Sequence, residues 1–408
     1  MWRVNMIEKG KPLSLLGDLK KDEIEEKRVL VRVDFNVPLS EDLQVNDDTR
    51  VRAALDTIEY LLSHNCIVIL MSHLGRPKGK IVEKLRMDPV ALCLEKIIHR
   101  KVIKLDDCIG EYVTKMVAKL VPGDIVLLEN LRFHKEEENN DPVFSQQLAS
   151  LADIYVDDAF GAAHRAHAST VGITSYLSSY AGFLMAQEIR SLDKLIFNSD
   201  KPFISIIGGA KISSKIEILD RLTEISDKVL IGGGMAYTFF AAQGLEIGKS
   251  IFEESQIKFC RELLKKAKIM GKEIVIPEDV RATYEFSEDA DSFNVSIEEI
   301  DNNMIGMDIG SKTIGLFKKI ISSSKKIFWN GPLGVFEMDK YAEGTNEIAR
   351  HIASLYGKVF SVVGGGDSIA AINKLGLNNK FSHLSTGGGA SMEYVAGKKL
   401  PGVEILRK

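Results

Sequence analysis

Unbroken apolar runs recur along the chain, each closed by polar, charged or glycine positions. The first half carries KRVLVRVDFN, CIVILMSHLG, DIVLLENLRF and ADIYVDDAFG. The second carries PFISIIGGAK, DKVLIGGG, KEIVIPEDV, KKIFWNGPLG, KVFSVVGGGD and FSHLSTGGG. Between them, TRVRAALDTIEYLLSH and ESQIKFCRELLKKAKIMG repeat apolar residues at helical spacing. Apolar strands alternating with amphipathic helices predict an α/β fold whose parallel sheets are covered on both faces. At 408 residues the chain exceeds one ordinary core, so two domains are expected. AGFLMAQEIRSLDKLIFNSDKP reads as a helix and turn joining them.

The two halves end their strands differently. IVILMSHLGRP leaves an apolar run through His73, Gly75, Arg76 and Pro77, and Asp34, Asn36, Arg132, Asp157 and Asp158 occupy similar exits. Ligands of open parallel sheets bind outside the carboxyl ends of the strands. Arg50, His73, Arg76, Arg132 and Arg165, read at strand ends or in the loops after them, therefore suit a small ligand with several negative groups. Asp34 and Asn36 suit a ligand hydroxyl. Any single arginine of this set could equally be a surface ion-pair partner. His134, His164 and His167 read more readily as structural groups.

Strands of the second half end in glycines. In GGAKISSKIEIL, bare backbone amides and a helix start favour phosphate, and Lys211 and Lys215, four apart, are expected on one helical face. Tight strand–helix packing with two solvated lysines explains the same letters. The spacing is neither that of a Walker loop nor GxGxxG. In VVGGGDS, Asp367 suits a magnesium ligand acting with substrate phosphates or an N-cap of the next helix, two roles that can coexist through different oxygens. STGGGAS repeats glycines at a helix start, and its amides are expected to be free. Asn330 and Glu337 of WNGPLGVFE are candidate partners for a ribose or base, and GGGMAYTF a candidate apolar wall for a purine.

Composition narrows the classes. A formal charge of −4 argues against a nucleic-acid-coating protein. Four cysteines without metal-type spacing, no signal-like N-terminus and no membrane-length apolar run lead to the expectation of a cytoplasmic protein bound to neither nucleic acid nor membrane.

RVDFNVP, SHLGRP, LENLRFH, DDAFGAAHRAH, GGAKISSK, GGGMAYTF, WNGPLGVFE, GGGDS and STGGGAS occur in this order, and the whole chain resembles the phosphoglycerate kinase family. The resemblance implies two Rossmann-like lobes joined by a connecting helix. It implies a phosphoglycerate lobe at 1–184 completed by a returning segment 398–408, a connecting helix at 185–198 and a nucleotide lobe at 199–397. It implies reversible phosphoryl transfer between 1,3-bisphosphoglycerate and MgADP, giving 3-phosphoglycerate and MgATP, in a monomer whose lobes close on their ligands. By motif position Asp34, Asn36, Arg50, His73, Arg76, Arg132 and Arg165 correspond to the acid site. Lys211, Lys215, Asn330, Glu337 and Gly364, Gly365, Gly366, Asp367 and Ser368 correspond to the nucleotide site, with Asp367 on the metal. Arg50, Lys215 and the amides of Gly387 and Gly388 correspond to groups around the phosphoryl in flight. The chain departs from the family pattern at Asp56, Ala162 and Lys399, none of them a matched ligand position. Two other readings remain in view: a nicotinamide dehydrogenase, which lacks its GxGxxG turn here, and a non-catalytic anion or nucleotide sensor.

Overall fold

The computed structural model describes residues 12–407, so the N-terminal extension lies outside the described residues. The chain divides into two compact units, Met1–Arg190 with Lys399–Lys408, and Ser191–Lys398. The helix Phe183–Phe197 carries the chain from the first into the second.

The first unit contains strands β1 (Arg28–Val33), β2 (Ile67–Met71), β3 (Ile103–Lys104), β4 (Ile125–Leu127), β5 (Ile154–Asp158) and β6 (Ser179–Ala181). They form one parallel sheet in the order β3-β4-β2-β1-β5-β6. Successive side chains of a strand point to opposite faces. Val29, Val31, Val33, Val68 and Leu70 accordingly join one core, while Leu30, Ile67, Ile69 and Met71 join another. Helices cover both, which is why the strands read as unbroken apolar runs. The segment expected as one helix, TRVRAALDTIEYLLSH, is two, Thr49–Ala53 and Leu55–Ser63, with Asp56 in the first turn of the second. The returning end is tied in by Gly402 N–H donating to Ala163 O at 2.9 Å and Ser14 N–H donating to Leu406 O at 2.9 Å.

The second unit contributes β7 (Phe203–Ile207), β8 (Lys228–Ile231), β9 (Glu273–Val275), β10 (Asp279–Thr283), β11 (Ser292–Ser296), β12 (Ile305–Ile309), β13 (Lys326–Asn330), β14 (Phe360–Gly364) and β15 (His383–Ser385). Six of these form a parallel sheet in the order β15-β14-β13-β7-β8-β9. The remaining three form an antiparallel sheet, β11-β10-β12, which the apolar pattern did not announce. Charged or polar residues or glycine interrupt all three strands, DVRAT, SFNVS and IGMDI, so they carry no continuous hydrophobic run even though β10 is largely buried.

In each parallel sheet the chain first builds outward on one side and then returns to the other. The reversal lies between β1 and β5 in the first unit and between β7 and β13 in the second. Such a reversal parts the loops at the carboxyl ends of the strands and leaves a crevice there.

Candidate active site

In the first unit the crevice is built from side chains. Arg32, the penultimate residue of β1, is fully buried; its Nε donates to Ser169 Oγ at 2.9 Å and its Nη2 lies 3.0 Å from His73 Nδ1. Arginine can only donate, so His73 Nδ1 accepts and the ring carries its proton on Nε2. Burial, then the charges of Arg32, Arg132 and Arg50, hold the His73 pKa well below the usual range, so the imidazole is neutral. Arg50 Nη1 pairs with Asp34 Oδ2 at 2.9 Å. Arg132 donates from Nη1 to Gly75 O at 3.0 Å, while its buried Nε has no hydrogen bond and lies 3.4 Å from Glu138. Burial and the repulsion of Arg32 lower the Arg132 pKa. Arg165 donates to His164 Nε2 at 3.1 Å. Asn36 Oδ1 accepts from Gly75 N–H at 2.8 Å, and the neighbouring Arg76 is exposed. The result is a cluster of five guanidinium groups, Arg32, Arg50, Arg76, Arg132 and Arg165, whose local acids, Asp34, Glu137 and Glu138, are too few to neutralise it. Such a cluster suits an anion.

In the second unit the crevice is built from backbone. Gly209 N–H donates to Pro332 O at 2.8 Å and Gly233 N–H to Leu333 O at 2.8 Å. A Cβ on Gly208 would lie 2.0 Å from Pro332 O, so no side chain fits there. Gly233, at φ +68, adopts a conformation that favours glycine. These turns wall a cavity of about 570 Å³ whose lining includes Gly234, Tyr237, Leu333, Glu337 and Asp367. The helix Gly366–Lys374 starts after Gly365 without any side-chain cap, which leaves its first amides available. Asp367 is exposed in that first turn and lines the same cavity. Lys215 folds onto the Asn330 side chain, whose Nδ2 donates to Gly364 O at 2.8 Å. Burial lowers the Lys215 pKa to about 8, partly opposed by Asp367. Ser368 Oγ accepts from Gly331 N–H at 2.7 Å.

The phosphoglycerate kinase family model matches residues 19–398. The phosphoglycerate kinase of Moorella thermoacetica is 52% identical over 388 residues, covering 95% of this chain and 98% of its own. That of Prochlorococcus marinus is 51% identical over 394 residues, covering 96% and 98%. Two solved structures superpose over 97% of the chain. Phosphoglycerate kinase from Coxiella burnetii gives a TM-score of 0.87 at 35% identity over 99% of its chain, and the enzyme from Pyrococcus horikoshii 0.84 at 30% over 98%. The chain belongs to the phosphoglycerate kinase family. It is therefore a phosphotransferase with a carboxyl acceptor, built as two α/β lobes.

Several residue-level expectations change against this phosphoglycerate kinase fold. Lys211 and Lys215 do not share a helical face: the helix begins at Ile216, with Lys215 as its N-cap. The preceding turn is pinned outward by Ser213, whose N–H and hydroxyl donate to Glu253 at 2.9 and 2.6 Å. Asp367 is not the N-cap; Gly365 is. Asn330 is buried and engaged at both ends of its amide, so it braces Lys215 and Gly364 and presents no exposed amide to a ribose. Gly387 N–H is not free; it donates to Ser385 Oγ at 3.2 Å. Gly388, by contrast, has open space where a Cβ would stand. Arg50 lies on the helix Thr49–Ala53 rather than in a loop directly after a strand, and Asp34 draws it to the site.

Arg32 was missed, although its signal was present: one charge inside the apolar run RVLVRV. Lys249, Phe286 and Asp308, which also line the cavity, were missed because they belong to or flank the antiparallel sheet.

Proposed function

We propose that the unit Met1–Arg190 with Lys399–Lys408 is the phosphoglycerate lobe and Ser191–Lys398 the nucleotide lobe. The observation that carries this division is the contrast in donors. Converging guanidinium groups suit a small acid with phosphate and carboxylate, while glycine amides around an apolar-lined cavity suit a nucleotide. Arg132 and Arg165 hold the non-reacting phosphate of the acid, with Arg76 beside them. Asp34 and Asn36 orient its hydroxyl and carboxyl end, and His73 donates from Nε2. Glu337 serves the ribose, and the amides of Gly364, Gly365, Gly366 and Ser368 serve the nucleotide phosphates. Lys211 contributes as an exposed cation near the same phosphates.

Asp367 fits Mg²⁺: a hard divalent cation is bound through one or two carboxylates together with substrate phosphates, and this carboxylate is exposed at the cavity. Bound there, Mg²⁺ supplies charge neutralisation on the phosphate oxygens.

The acceptor in the ATP-consuming direction is a carboxylate, ionised at neutral pH. No proton has to be removed, so no general base is required. The barrier falls through alignment and charge stabilisation. Arg50 exchanges its Asp34 contact, and Lys215 its Asn330 contact, for oxygens of the phosphoryl in flight, with the Gly388 amide assisting. We assign the meeting of acid and nucleotide to closure about the connecting helix, which excludes water from the acyl phosphate. Each chain carries both pockets, which supports activity as a monomer. Four free thiols support a reducing, cytoplasmic setting, and no helix among the described residues is long and apolar enough to cross a membrane.

A coupled assay of ATP-dependent acyl-phosphate formation from 3-phosphoglycerate tests the reading. Turnover that needs both Mg²⁺ and 3-phosphoglycerate is expected; nucleotide binding without turnover would favour the sensor reading. Small-angle scattering that shows no compaction with both ligands bound would remove closure from the mechanism.

A further inference from the structure

Asp107 and Cys108 come shortly after β3, and His134 follows the turn Leu131–Phe133 beyond β4. The two strands are neighbours in the sheet, so residues far apart in sequence are delivered side by side. A carboxylate oxygen, the thiol sulfur and a ring nitrogen lie within 4.8 Å of one another. His134 Nε2 is 2.7 Å from Asp107 Oδ1, and Cys108 N–H donates to the same oxygen at 2.7 Å. Cys108 is buried, while the His134 and Asp107 side chains are 26% and 49% exposed. The donors thus run from the interior outward, which gives a cation a way in. Phe144 supports the imidazole at a ring separation of 5.3 Å. None of the three residues has a part in the phosphoryl transfer above.

We propose that Asp107, Cys108 and His134 form a binding site for a borderline-soft divalent cation of the Zn²⁺ class. The donor set argues for this class. Thiolate and imidazole together select zinc-like ions over Mg²⁺ and Ca²⁺, which take oxygen. Three protein ligands with water in the fourth position is a recurring zinc arrangement. In a tetrahedral site such donors stand about 3.4–3.6 Å apart. The His134–Asp107 contact, 2.7 Å without the ion, therefore opens by about 0.8 Å on binding, and the sulfur, within 4.8 Å of both, has little distance to close. On binding, the Cys108 thiol gives its proton to solvent, and His134 Nε2 gives up the hydrogen it shares with Asp107 Oδ1, the neutral ring keeping its proton on Nδ1; sulfur, Nε2 and the carboxylate oxygen then each donate a lone pair to the cation. The competing explanation is a plain Asp107–His134 ion pair beside an inert buried thiol.

The test is a Co²⁺ titration of the full chain without nucleotide, followed by ultraviolet and visible absorption. One equivalent is expected to bind with a thiolate-to-cobalt charge-transfer band that Zn²⁺ abolishes. His134→Gln is expected to weaken Co²⁺ binding tenfold or more, and Cys108→Ser to remove the band. Because Cys108 is buried, C108S is checked by circular dichroism. Should it fail to fold, H134Q at the partly exposed position carries the test alone. Zn²⁺ is also expected to raise the melting temperature of the wild type but not of H134Q. Absence of a thiolate band overturns the site, as does a band of unchanged affinity in H134Q, which would arise from Cys66, Cys93 or Cys260.

Discussion

The two units solve one problem, holding an anion, with opposite materials. The first uses long cationic side chains steadied by a buried network in which Arg32, Ser169 and Glu137 hold one another. The second uses main chain so closely packed that side chains are excluded at Gly208 and Gly233. A side-chain pocket can be disarmed one charge at a time with its scaffold intact. The backbone pocket resists this at Gly208 and Gly233, where excluding side chains also lets the strand exits pack, and yields only at the uncapped start of the helix Gly366–Lys374, whose amides hold nothing together.

The largest expected effect falls on the side-chain pocket. Arg50→Ala should lower turnover roughly 10²–10³-fold, the usual cost of one preorganised donor to developing charge. Its melting temperature should stay near wild type, since the Asp34–Arg50 pair is partly exposed. Steady-state kinetics with parallel calorimetry check this, and near-normal turnover would take Arg50 out of the chemistry. Gly233→Ala should behave in the opposite way. Its Cβ would stand 2.6 Å from Gly209 N at φ +68, so about 1–3 kcal/mol of stability should be lost together with nucleotide affinity. A variant that lost nucleotide binding but melted like wild type would break the comparison.

Acidity separates the units more finely. Burial raises Asp157 and Asp158 to about 7 in the first unit and Asp308 to about 8 in the second. These carboxyls keep their protons in the folded chain where the unfolded chain has lost them. The stability they contribute is therefore full below about pH 4 and falls as pH rises, by at most about 1.4 kcal/mol per pH unit per group. The decline should end near pH 7 for the first unit and near pH 8 for the second, and melting curves from pH 4 to 9 would show it. Lys215 turns the same physics toward activity. With its pKa at about 8, kcat/KM for nucleotide should fall tenfold per pH unit above that value, and Lys215→Arg should move the limb alkaline. The smallest effect is expected at Gly366, where a Cβ meets nothing within 4 Å. Gly366→Ala should fold at least as well as wild type, by up to about 1 kcal/mol, and weaken nucleotide binding only a few-fold. Isothermal titration alongside melting would separate glycines that serve packing from those that leave room for a ligand.

The parallel sheets were legible because burial on both faces writes itself as apolar runs such as IVILM and FISII. The antiparallel sheet was hidden because SFNVS is largely unburied and its neighbours DVRAT and IGMDI, though more buried, are broken by charged residues or glycine. The candidate site residues stood out for a similar reason: a charge or glycine at the end of an apolar run interrupts a strong pattern. What failed was local geometry. The helix after GGAKISSK starts one residue past Lys215 because Glu253, distant in sequence, holds Ser213 in a turn. Asn330 looked available beside Gly331 until the fold brought Lys215 and Gly364 against it. Asp107, Cys108 and His134 follow no metal-ligand spacing, since their proximity comes from the pairing of β3 with β4.

The helix Pro401–Glu404 and its buried neighbours Leu400, Val403 and Leu406 finish the core of the unit whose other strands all precede residue 190. During synthesis the first unit thus waits for residues 400–406, with the whole second unit translated in between. A frameshift or protease cut near Leu400 would then strike the oldest part of the nascent protein, and the newest would keep its own fold.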